Sequence, residues 1–288
     1  MARRRPPPAE RVRARLREAA GDAVAAEMPR GYQRLGRVLL LRLPQSLEPY
    51  GGLLADAWRA ELGVETVLAH RGPIAGEFRH PQVTCLAGES AETEVVEHGS
   101  RWRLNAAEVM FAAGNRTERR RFAELVGPGE QVADLFAGIG YFTVPAARAV
   151  ATASFVAVEK NPVAYRYLEE NLRLNGVGER VRAVLGDNRS VPLPLRSFDR
   201  VLLGYLPSSV PWLPRSLELL PAQGGVLHVH LVADAHDALG EAIAAVRAGL
   251  REAGAEPSVP LAARAVKPYG PGRTHVVVDA TVRPVSAR

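Results

Sequence analysis

The sequence predicts an α/β protein whose larger part is a doubly wound parallel sheet. Short apolar runs alternate with helical segments from residue 131 onward, and the turn A-G-I-G at residues 137–140 directly follows the first run. The second run ends at Glu159, 19 residues beyond Gly140. In such a sheet, a glycine turn after the first strand lets the backbone approach a ligand, and an acid at the tip of the second strand accepts hydrogen bonds from ribose hydroxyls. We therefore expect a nucleoside-binding domain.

The other elements of this domain follow in alternating order. We expect strands at residues 132–135, 154–158, 181–185, 198–203 and 226–231, helices at 143–150, from 162 to near 175, 213–220 and 235–253, and a closing pair of strands near 258–266 and 275–282. Pro162 is placed to start a helix, and Asn175-Gly176 to end it. The element count fits a seven-stranded sheet that is parallel except for its last strand.

The glycine turn favours one class of nucleoside over another. A dinucleotide fingerprint has a third glycine three places after the second, where this chain has Thr143, and an acid, Asp134, lies four residues ahead of Gly138. A carboxylate there repels a pyrophosphate but tolerates an ammonium and a sulfonium. The order D-L-F-A-G-I-G followed by A-V-E-K-N resembles motif one and motif two of class I S-adenosylmethionine (SAM) enzymes. That resemblance implies a Rossmann-like class I SAM-dependent methyltransferase fold. The alternatives are an NAD site and a glycine turn with no ligand.

Several expected donor contacts lie at the carboxyl ends of successive strands, where ligands bind in an open α/β sheet. Glu159 is expected to bind the ribose, and Asp187, with Asn188 beside it, to accept from the exocyclic amine of adenine. The backbone from Phe136 to Gly140 is expected to face the methionine part. Any one of these acids alone would be an ordinary turn residue or helix cap. The SAM-binding residues predicted in this way are Asp134, Phe136, Ala137, Gly138, Gly140, Glu159, Lys160, Asp187, Asn188, Leu203 and Gly204.

Composition sets the outer limits. The chain has 288 residues, enough for one large domain or two ordinary ones, and a formal net charge of +6. Residues 1–18 hold seven Arg and two Glu, or +5, so the rest of the chain is nearly neutral. A single cysteine, Cys85, excludes an internal disulfide and fits a reducing cytoplasm. No apolar run approaches 18 residues and no signal peptide follows the first arginines, so we expect neither a membrane span nor export.

Four segments are predicted along the chain. Residues 1–28 are a basic tail and short helix, which either contacts phosphate or is simply solvated. Residues 29–105 form a smaller α/β domain, residues 106–126 a connecting helical segment, and residues 127–288 the SAM-binding domain. Gly114-Asn115 is expected to break the connecting helix, with Asn115 or Thr117 near the N-cap of a new one.

Four motifs carry a resemblance to a known family from about residue 32 to residue 282. They are I-A-G-E-F-R-H-P, V-M-F-A-A-G-N-R-T-E-R-R-R, D-L-F-A-G-I-G-Y-F-T-V-P and V-K-P-Y-G-P-G-R-T-H-V-V-V-D. The chain resembles the archaeal and eukaryotic tRNA enzymes that act on the guanosine 3′ of the anticodon. One branch of that family is a guanine-N1 methyltransferase. The other is a wybutosine-pathway enzyme that moves the 3-amino-3-carboxypropyl group of SAM onto a tricyclic guanine derivative.

Two positions favour the aminocarboxypropyltransferase branch. The methyltransferase branch usually has an arginine where this chain has Gly114, and it ends its fourth strand in Asn-Leu-Pro. Here the fourth strand runs into L-L-G-Y-L-P-S-S at residues 202–209, which resembles the N-L-G-x-x-P-S-S of the transferase branch. Leu202 replaces the asparagine expected in both branches, so the acceptor could have diverged.

The chemistry of SAM shows how a small change in the pocket switches between the branches. A sulfonium has three electrophilic carbons, and displacement requires in-line attack, so aminocarboxypropyl transfer requires the methionine arm to face the nucleophile. We expect a cluster at the start of the new helix to hold the carboxylate and amino group of that arm, and residues 204–209 to shape the acceptor side. The alternative for Glu118 and Arg121 is an ion pair on the helix surface. The cluster comprises Asn115, Glu118, Arg119 and Arg121.

Three functions remain open from the sequence: a tRNA aminocarboxypropyltransferase, which is the leading one, a tRNA guanine-N1 methyltransferase, and a small-molecule SAM enzyme or idle SAM-binding module. The partner predicted by the leading reading is the anticodon region of tRNA. No general base stands out. His228 and His230 share one face of a strand without a third ligand at metal spacing, so a structural role is favoured over zinc and no metal is expected.

Overall fold

The computed structural model describes residues 6–29, 31–74 and 76–284 of the chain. These residues divide into two compact units. The first comprises the residues up to Val96 together with Arg101–Ala113, and the second comprises Glu97–Ser100 and the residues from Gly114 onward. Residues 1–5 of the predicted basic tail lie outside the described part, as does Ala75 in the early motif.

The first unit is a small α/β structure with a four-stranded sheet. Its elements are α1 (Pro8–Ala20), α2 (Asp22–Ala26), β1 (Tyr32–Leu35), β2 (Val38–Arg42), α3 (Gly51–Leu62), β3 (Thr66–His70) and β4 (Val83–Ala87). The strand order is β1-β2-β3-β4, with β2 and β3 parallel and the two outer pairs antiparallel. Helix α3 ends at Gly63, which adopts a left-handed conformation with φ of 62° and whose amide donates to the Arg59 carbonyl oxygen.

Helix α1 is part of the core of this unit rather than a solvated tail. Val12 and Leu16, four residues apart and therefore on one helical face, are fully buried in a cluster with Leu54 and Trp58. Arg11 pairs with Glu61 at 2.6 Å. The prediction of a separate basic segment at residues 1–28 is thus wrong for α1, because the arginines between its two buried residues hid a narrow apolar stripe.

A two-stranded hairpin follows, formed by β5 (Glu92–Glu97) and β6 (Ser100–Asn105). His98 and Gly99 form its turn with φ values of 49° and 79°. Most of the hairpin belongs to the first unit, whereas Glu97–Ser100, which includes the turn, belongs to the second unit.

The second unit contains the predicted nucleoside-binding sheet. Its elements are α4 (Arg116–Leu125), β7 (Gln131–Asp134), α5 (Thr143–Ala149), β8 (Ser154–Glu159), α6 (Pro162–Leu174), β9 (Val181–Leu185), β10 (Arg200–Leu203), α7 (Leu213–Leu219), β11 (Gly225–Asp234), α8 (Ala238–Glu252), β12 (Ala255–Pro257), β13 (Ala262–Gly270) and β14 (Arg273–Pro284). Asn115 lies at the N-cap position of α4, as predicted, although its side chain makes no capping hydrogen bond.

The topology of the large sheet confirms the predicted fold class. The strand order is β9-β8-β7-β10-β11-β14, and β12 and β13 both pair with β14. Strands β7 to β11 are parallel, whereas β14 is antiparallel to β11 and to β13. Strand β14, the last of the chain, therefore runs against the rest. The predicted strand at 258–266 is only partly correct, because β13 begins at Ala262 and the residues before it lie between β13 and the short strand β12. Pro260, one of these residues, has no amide hydrogen to continue a ladder.

The parallel arrangement determines where a site can form. Because β7, β8 and β10 run in one direction, Asp134, Glu159 and Leu203 all lie at the same edge of the sheet. The middle residues of the parallel strands are mainly apolar, and all four residues of β10, including Arg200, are buried. None of the helices within the described residues has the length and apolarity that a bilayer span requires.

The packing of α1 gives a first prediction. Leu16→Ala should lower the free energy of unfolding of the first unit by about 2–5 kcal/mol, because it leaves a cavity in a closed core. Glu18→Ala, two residues away on the exposed face, should change it by less than about 0.5 kcal/mol. Urea denaturation followed by tryptophan fluorescence and by circular dichroism measures both variants. Equal stabilities for the two variants would mean that α1 is not part of the folded unit.

Candidate active site at the carboxyl edge of the large sheet

The loop between β7 and α5 turns on two glycines in the left-handed region. Gly138 and Gly140 have φ values of 57° and 89°. A Cβ on Gly138 would collide with the Tyr141 ring, and a Cβ on Gly140 would lie 2.8 Å from Cγ2 of Val144. The Gly140 amide donates to the Ala137 carbonyl oxygen at 2.9 Å. Conformation and space therefore both require glycine, and the loop backbone stays open to a ligand.

Glu159 is held directly against this loop. One carboxylate oxygen accepts from the Gly138 amide at 2.7 Å, and the other accepts from the Asn161 amide at 2.7 Å. Burial raises the pKa of Glu159, and these backbone hydrogen bonds oppose the rise. The two features that predicted a nucleoside site, 21 residues apart in sequence, are thus in direct contact.

Asp134, at the end of β7, is buried beneath the same loop. Its carboxylate accepts from the Thr143 hydroxyl at 2.8 Å and from the Phe136 amide at 3.2 Å. Burial raises the pKa of Asp134 to about 7, the two hydrogen bonds oppose the rise, and the charge of Glu159 adds to it. Thr143, which replaces the third glycine of a dinucleotide fingerprint, therefore has a defined partner.

The predicted adenine contacts lie beyond β9. Asp187 forms an ion pair with Lys160 at 2.9 Å, and its pKa is lowered by the backbone amide of Arg189 and by Lys160. The Asn188 side chain is buried, and its Nδ2 donates to the Leu135 carbonyl oxygen at 2.6 Å. Its Oδ1 is buried without a hydrogen-bond partner. A buried acceptor of this kind is costly unless a ligand or water satisfies it.

The loop after β10 is held by one buried hydroxyl. Ser209 Oγ accepts from the Tyr205 amide at 3.1 Å and lies 2.7 Å from the Leu203 carbonyl oxygen, to which it donates. The Ser209 amide donates to the His230 carbonyl oxygen at 3.0 Å, which fastens the loop to β11. A Cβ on Gly204 would meet only ordinary contacts, with the nearest atom 3.9 Å away, so this position borders open space.

Aromatic rings line the outer side of this loop. The Tyr205 ring stacks on Phe136, with ring centroids 5.3 Å apart, and Trp212 packs against both rings. The Arg189 guanidinium lies over Trp212 at 4.6 Å. The predicted donor loop and the predicted acceptor loop therefore share one aromatic cluster, which can stack on a planar base.

The cluster at the start of α4 is buried and already paired. Arg121 makes hydrogen bonds to Glu118, the shortest at 2.7 Å, and to Asp279 on β14 at 2.6 Å. The alternative of an ion pair between Glu118 and Arg121 is therefore confirmed, but the pair is buried and not on the helix surface, because the Glu118 side chain is only 2% exposed. Arg119 pairs with Glu97 in a second buried ion pair. These contacts position α4 and leave little of the Arg121 guanidinium for a ligand.

The Arg121 pair extends into a buried network across one face of the sheet. Asp279 accepts from His228 Nδ1 at 2.6 Å, and His228 Nε2 lies 2.7 Å from Arg200, which pairs with Glu130. Since Arg200 is only a donor, His228 must be neutral with its proton on Nδ1. Burial lowers the pKa of His228 against the opposing effect of Asp279. Burial raises the pKa of Asp279, but the hydrogen bonds from His228 and Arg121 outweigh this effect and keep the pKa well below its usual value.

Two further histidines form a buried pair closer to the site. His230 Nδ1 and His275 Nε2 are 3.0 Å apart, and the outer nitrogen of each ring, Nε2 of His230 and Nδ1 of His275, has no hydrogen-bond partner. Burial lowers the pKa of both rings, that of His275 to about 4. Among the described residues, no group of three or more His, Cys, Asp and Glu side chains is placed to hold a metal ion.

Sequence reasoning missed the residues contributed by the last two strands. Lys267, His275 and Asp279 share one face of these strands. Asp279 binds Arg121 of α4 and Lys267 lies against Gly114, both more than 100 positions earlier, whereas His275 pairs with His230 on β11. The available signal was the alternation in R-T-H-V-V-V-D, which places His275 and Asp279 on one face of a strand. Their partners were not recognisable, because only the sheet order brings β14 beside β11.

The sheet order, together with a glycine loop bonded to an acid on the next strand, defines a domain of the class I SAM-binding type. Residues 93–254 match the family model described as the TRM5/TYW2 methyltransferase domain, and residues 12–91 match the one described as the TYW2 N-terminal domain. The chain therefore belongs to the TRM5/TYW2 family, which confirms the resemblance recognised in its motifs.

Individual relatives agree with this assignment. The chain is 35% identical over 275 residues to the tRNA(Phe) (4-demethylwyosine(37)-C(7)) aminocarboxypropyltransferase of Pyrococcus horikoshii, covering 94% of this chain and 97% of that protein. It is similar to the crystal structure of P. horikoshii TYW2 in complex with MeSAdo, with a TM-score of 0.83, 31% identity and coverage of 96% and 100%. For Methanocaldococcus jannaschii TYW2 in complex with AdoMet, the TM-score is 0.71, the identity 31% and the coverage 88% and 100%.

The buried acid gives the second prediction, on pH dependence. A carboxyl whose pKa is raised on folding binds more protons in the folded state, so its contribution to stability is lost as pH rises from about 4 to about 7 and is constant above that. Relative to Asp134→Asn, the wild-type protein without ligand should therefore lose up to about 1.4 kcal/mol per pH unit between pH 5 and 7.

The measurement is urea denaturation of both proteins at several values of pH between 5 and 8.5. Asp187→Asn is the matched control, because the pKa of Asp187 is shifted downward and its titration lies below this range. A stability difference between wild type and Asp134→Asn that is independent of pH would show that Asp134 stays ionised in the pocket.

Proposed function

We propose that the protein transfers the 3-amino-3-carboxypropyl group of SAM to a modified guanosine 3′ of the anticodon in tRNA. One observation carries this proposal: the P. horikoshii enzyme named for that reaction aligns with almost the whole of both chains. The related structures in complex with MeSAdo and with AdoMet support SAM as the donor.

The contacts at the sheet edge support a particular placement of the donor. The proposed ribose ligand is Glu159, whose orientation is preset by two backbone amides. Asp187 and the unsatisfied Oδ1 of Asn188 are the proposed acceptors for the amine of adenine. The sulfonium is proposed to lie over the glycine loop, where the nearby carboxylate of Asp134 favours positive charge.

The reaction itself is a displacement at carbon. A carbon of the acceptor base forms a bond to the γ-carbon of the methionine arm, and the bond from that carbon to sulfur breaks. The electron pair of the broken bond stays on sulfur, which gives methylthioadenosine, and the acceptor carbon then loses its proton. The contribution of the protein is to place these atoms in line, which is worth several orders of magnitude in rate.

The loop at residues 204–209 is the proposed acceptor side. Gly204 leaves space next to the donor loop. Ser209 fixes the path of the loop, because its hydroxyl accepts from the Tyr205 amide and donates to the Leu203 carbonyl oxygen, and its amide donates to the His230 carbonyl oxygen. The stacked rings of Phe136 and Tyr205 offer a planar surface suited to a tricyclic base. Leu202, where the family has asparagine, is fully buried in β10 and so acts on the acceptor only through this loop.

The proposed partner is the anticodon region of tRNA. Most of the excess positive charge of the chain lies in residues 1–18, so these residues are proposed to supply phosphate contacts. An anticodon substrate and a single free cysteine, Cys85, fit a cytoplasmic enzyme.

The third prediction concerns the by-product. Incubation with SAM and tRNA that carries the tricyclic precursor should yield methylthioadenosine in amounts equal to modified tRNA, measured by mass spectrometry. Glu159→Gln should reduce the affinity for SAM and for methylthioadenosine alike, by about tenfold, because both contain the ribose. Glu179→Gln makes the same chemical change at an exposed glutamate in the turn before β9, and it serves as the matched control.

Two outcomes would contradict this assignment. S-Adenosylhomocysteine in place of methylthioadenosine would identify a methyltransferase on the same fold. A gel shift of the full chain with an anticodon stem-loop tests the acceptor. Absence of binding would leave a small-molecule transferase.

A further inference from the structure

The chain contains only two lysines, Lys160 and Lys267, among its 37 basic residues, so it uses arginine 35 times. Lys160 lies at the end of β8, and Lys267 lies on β13 opposite His275. Both therefore lie at the carboxyl edge of the sheet. An ammonium is a compact charge with three freely rotating donors, whereas a guanidinium is a wide planar fork. Both lysines of the chain are thus at this edge, whereas the other 35 basic residues are arginines.

Lys267 fits against a position that has no side chain. A Cβ on Gly114 would lie 2.8 Å from Cδ of Lys267 and 3.4 Å from its Nζ. Gly114 is not among the residues with positive φ, so its conformation does not require glycine. Space is the remaining reason: the absence of a side chain at residue 114 allows the Lys267 side chain to lie against the backbone there, next to Asn115 in sequence.

Two residues near Lys267 have buried polar atoms without hydrogen-bond partners. Asn115 Oδ1 is buried without a hydrogen-bond partner, and so is Nδ1 of the fully buried His275. Lys267 contributes to the lowered pKa of His275, second to burial, so the two side chains are close. Unsatisfied buried groups in a native structure mark places where water or a ligand binds.

Charged groups of both signs lie on this face. Arg121, Arg264 and Lys267 are positive, Glu118 and Asp279 are negative, and the lowered pKa values of the three histidines favour their neutral forms. Arg121, the residue predicted to bind the carboxylate of the methionine arm, is engaged by Glu118 and Asp279. A carboxylate ligand at this edge therefore requires another cation.

We propose that Lys267 binds the α-carboxylate of the methionine arm of SAM and that Asn115 Oδ1 accepts a hydrogen bond from the α-ammonium of the same arm. Gly114 then acts as a specificity position, because it makes room for Lys267 and so for an arm turned toward the acceptor. This inference rests on the proposed use of SAM, and it deepens that proposal by assigning the arm to residues of β13 and of the α4 N-cap.

The test compares two ligands that differ by this arm. SAM carries the carboxylate and the ammonium, whereas methylthioadenosine lacks both. By isothermal titration calorimetry, Lys267→Met should raise the Kd for SAM by about 10- to 100-fold, as expected for a lost charge-assisted hydrogen bond, and leave that for methylthioadenosine unchanged within about twofold. Equal weakening of both ligands, or no change in either, would overturn the proposal.

A second variant tests the same contact without removing the charge. Gly114→Ala should displace Lys267 and raise the Kd for SAM by about 3- to 10-fold, and it should leave the Kd for methylthioadenosine unchanged. Gly178→Ala is the matched control, because a Cβ there meets open space and its φ is not positive. Parallel behaviour of the two alanine variants would count against a role for Gly114.

Chemical labelling of the wild-type protein covers the case in which a variant fails to fold. Acetylation by an amine-reactive ester can be read by mass spectrometry at only two lysines. SAM should protect Lys267 several-fold more than methylthioadenosine does, and equal protection would overturn the proposal. The outcome is independent of the transferred group: a by-product of S-adenosylhomocysteine would end the proposed function without affecting Lys267, and failure of the wild-type protein to bind SAM would end both.

Discussion

The buried charge network across the large sheet is the constraint on which the site depends. Removing one member would leave a charge without a partner at a cost of about 3–5 kcal/mol, whereas the intact network does little more than offset its own desolvation. Its value is therefore positional. Glu118 and Arg121 come from α4, Asp279 from β14 and His228 from β11, so the network fixes one helix against two strands. Asn115, at the start of that helix, inherits its position from these contacts.

A separate set of hydrogen bonds holds the glycine loop between β7 and α5. Glu159 already accepts from two amides, and Asp134 already accepts from the Thr143 hydroxyl and the Phe136 amide. Nδ2 of Asn171, which is fully buried, donates to the Ile139 carbonyl oxygen at 3.0 Å and supports the same loop from α6. Groups held in this way lose little freedom on binding, so more of the contact energy is available for affinity.

The order of elements and the donor loop could be read from the sequence, because both depend on local patterns. Apolar runs predicted the strands, and the glycine pair and Glu159, which are in direct contact, predicted the proposed ribose site. The α4 cluster could not be read in the same way. Arg121 looked available for a carboxylate, but its partner Asp279 is 158 residues away and is brought near only by the order of β11 and β14. Helix α1 was misread for a related reason, since its buried face consists of two residues among four arginines.

The charge of the donor links the two halves of the proposed pocket. SAM would bring a positive sulfonium to Asp134 and Glu159, two carboxyl groups whose pKa values are raised by burial and which therefore favour a cation. Transfer of the arm removes both the sulfonium charge and the carboxylate that Lys267 is proposed to hold. Methylthioadenosine would then keep only the contacts to its adenosine part. A pocket of this design binds the donor by attractions that the reaction itself abolishes, which favours release of the nucleoside after each transfer.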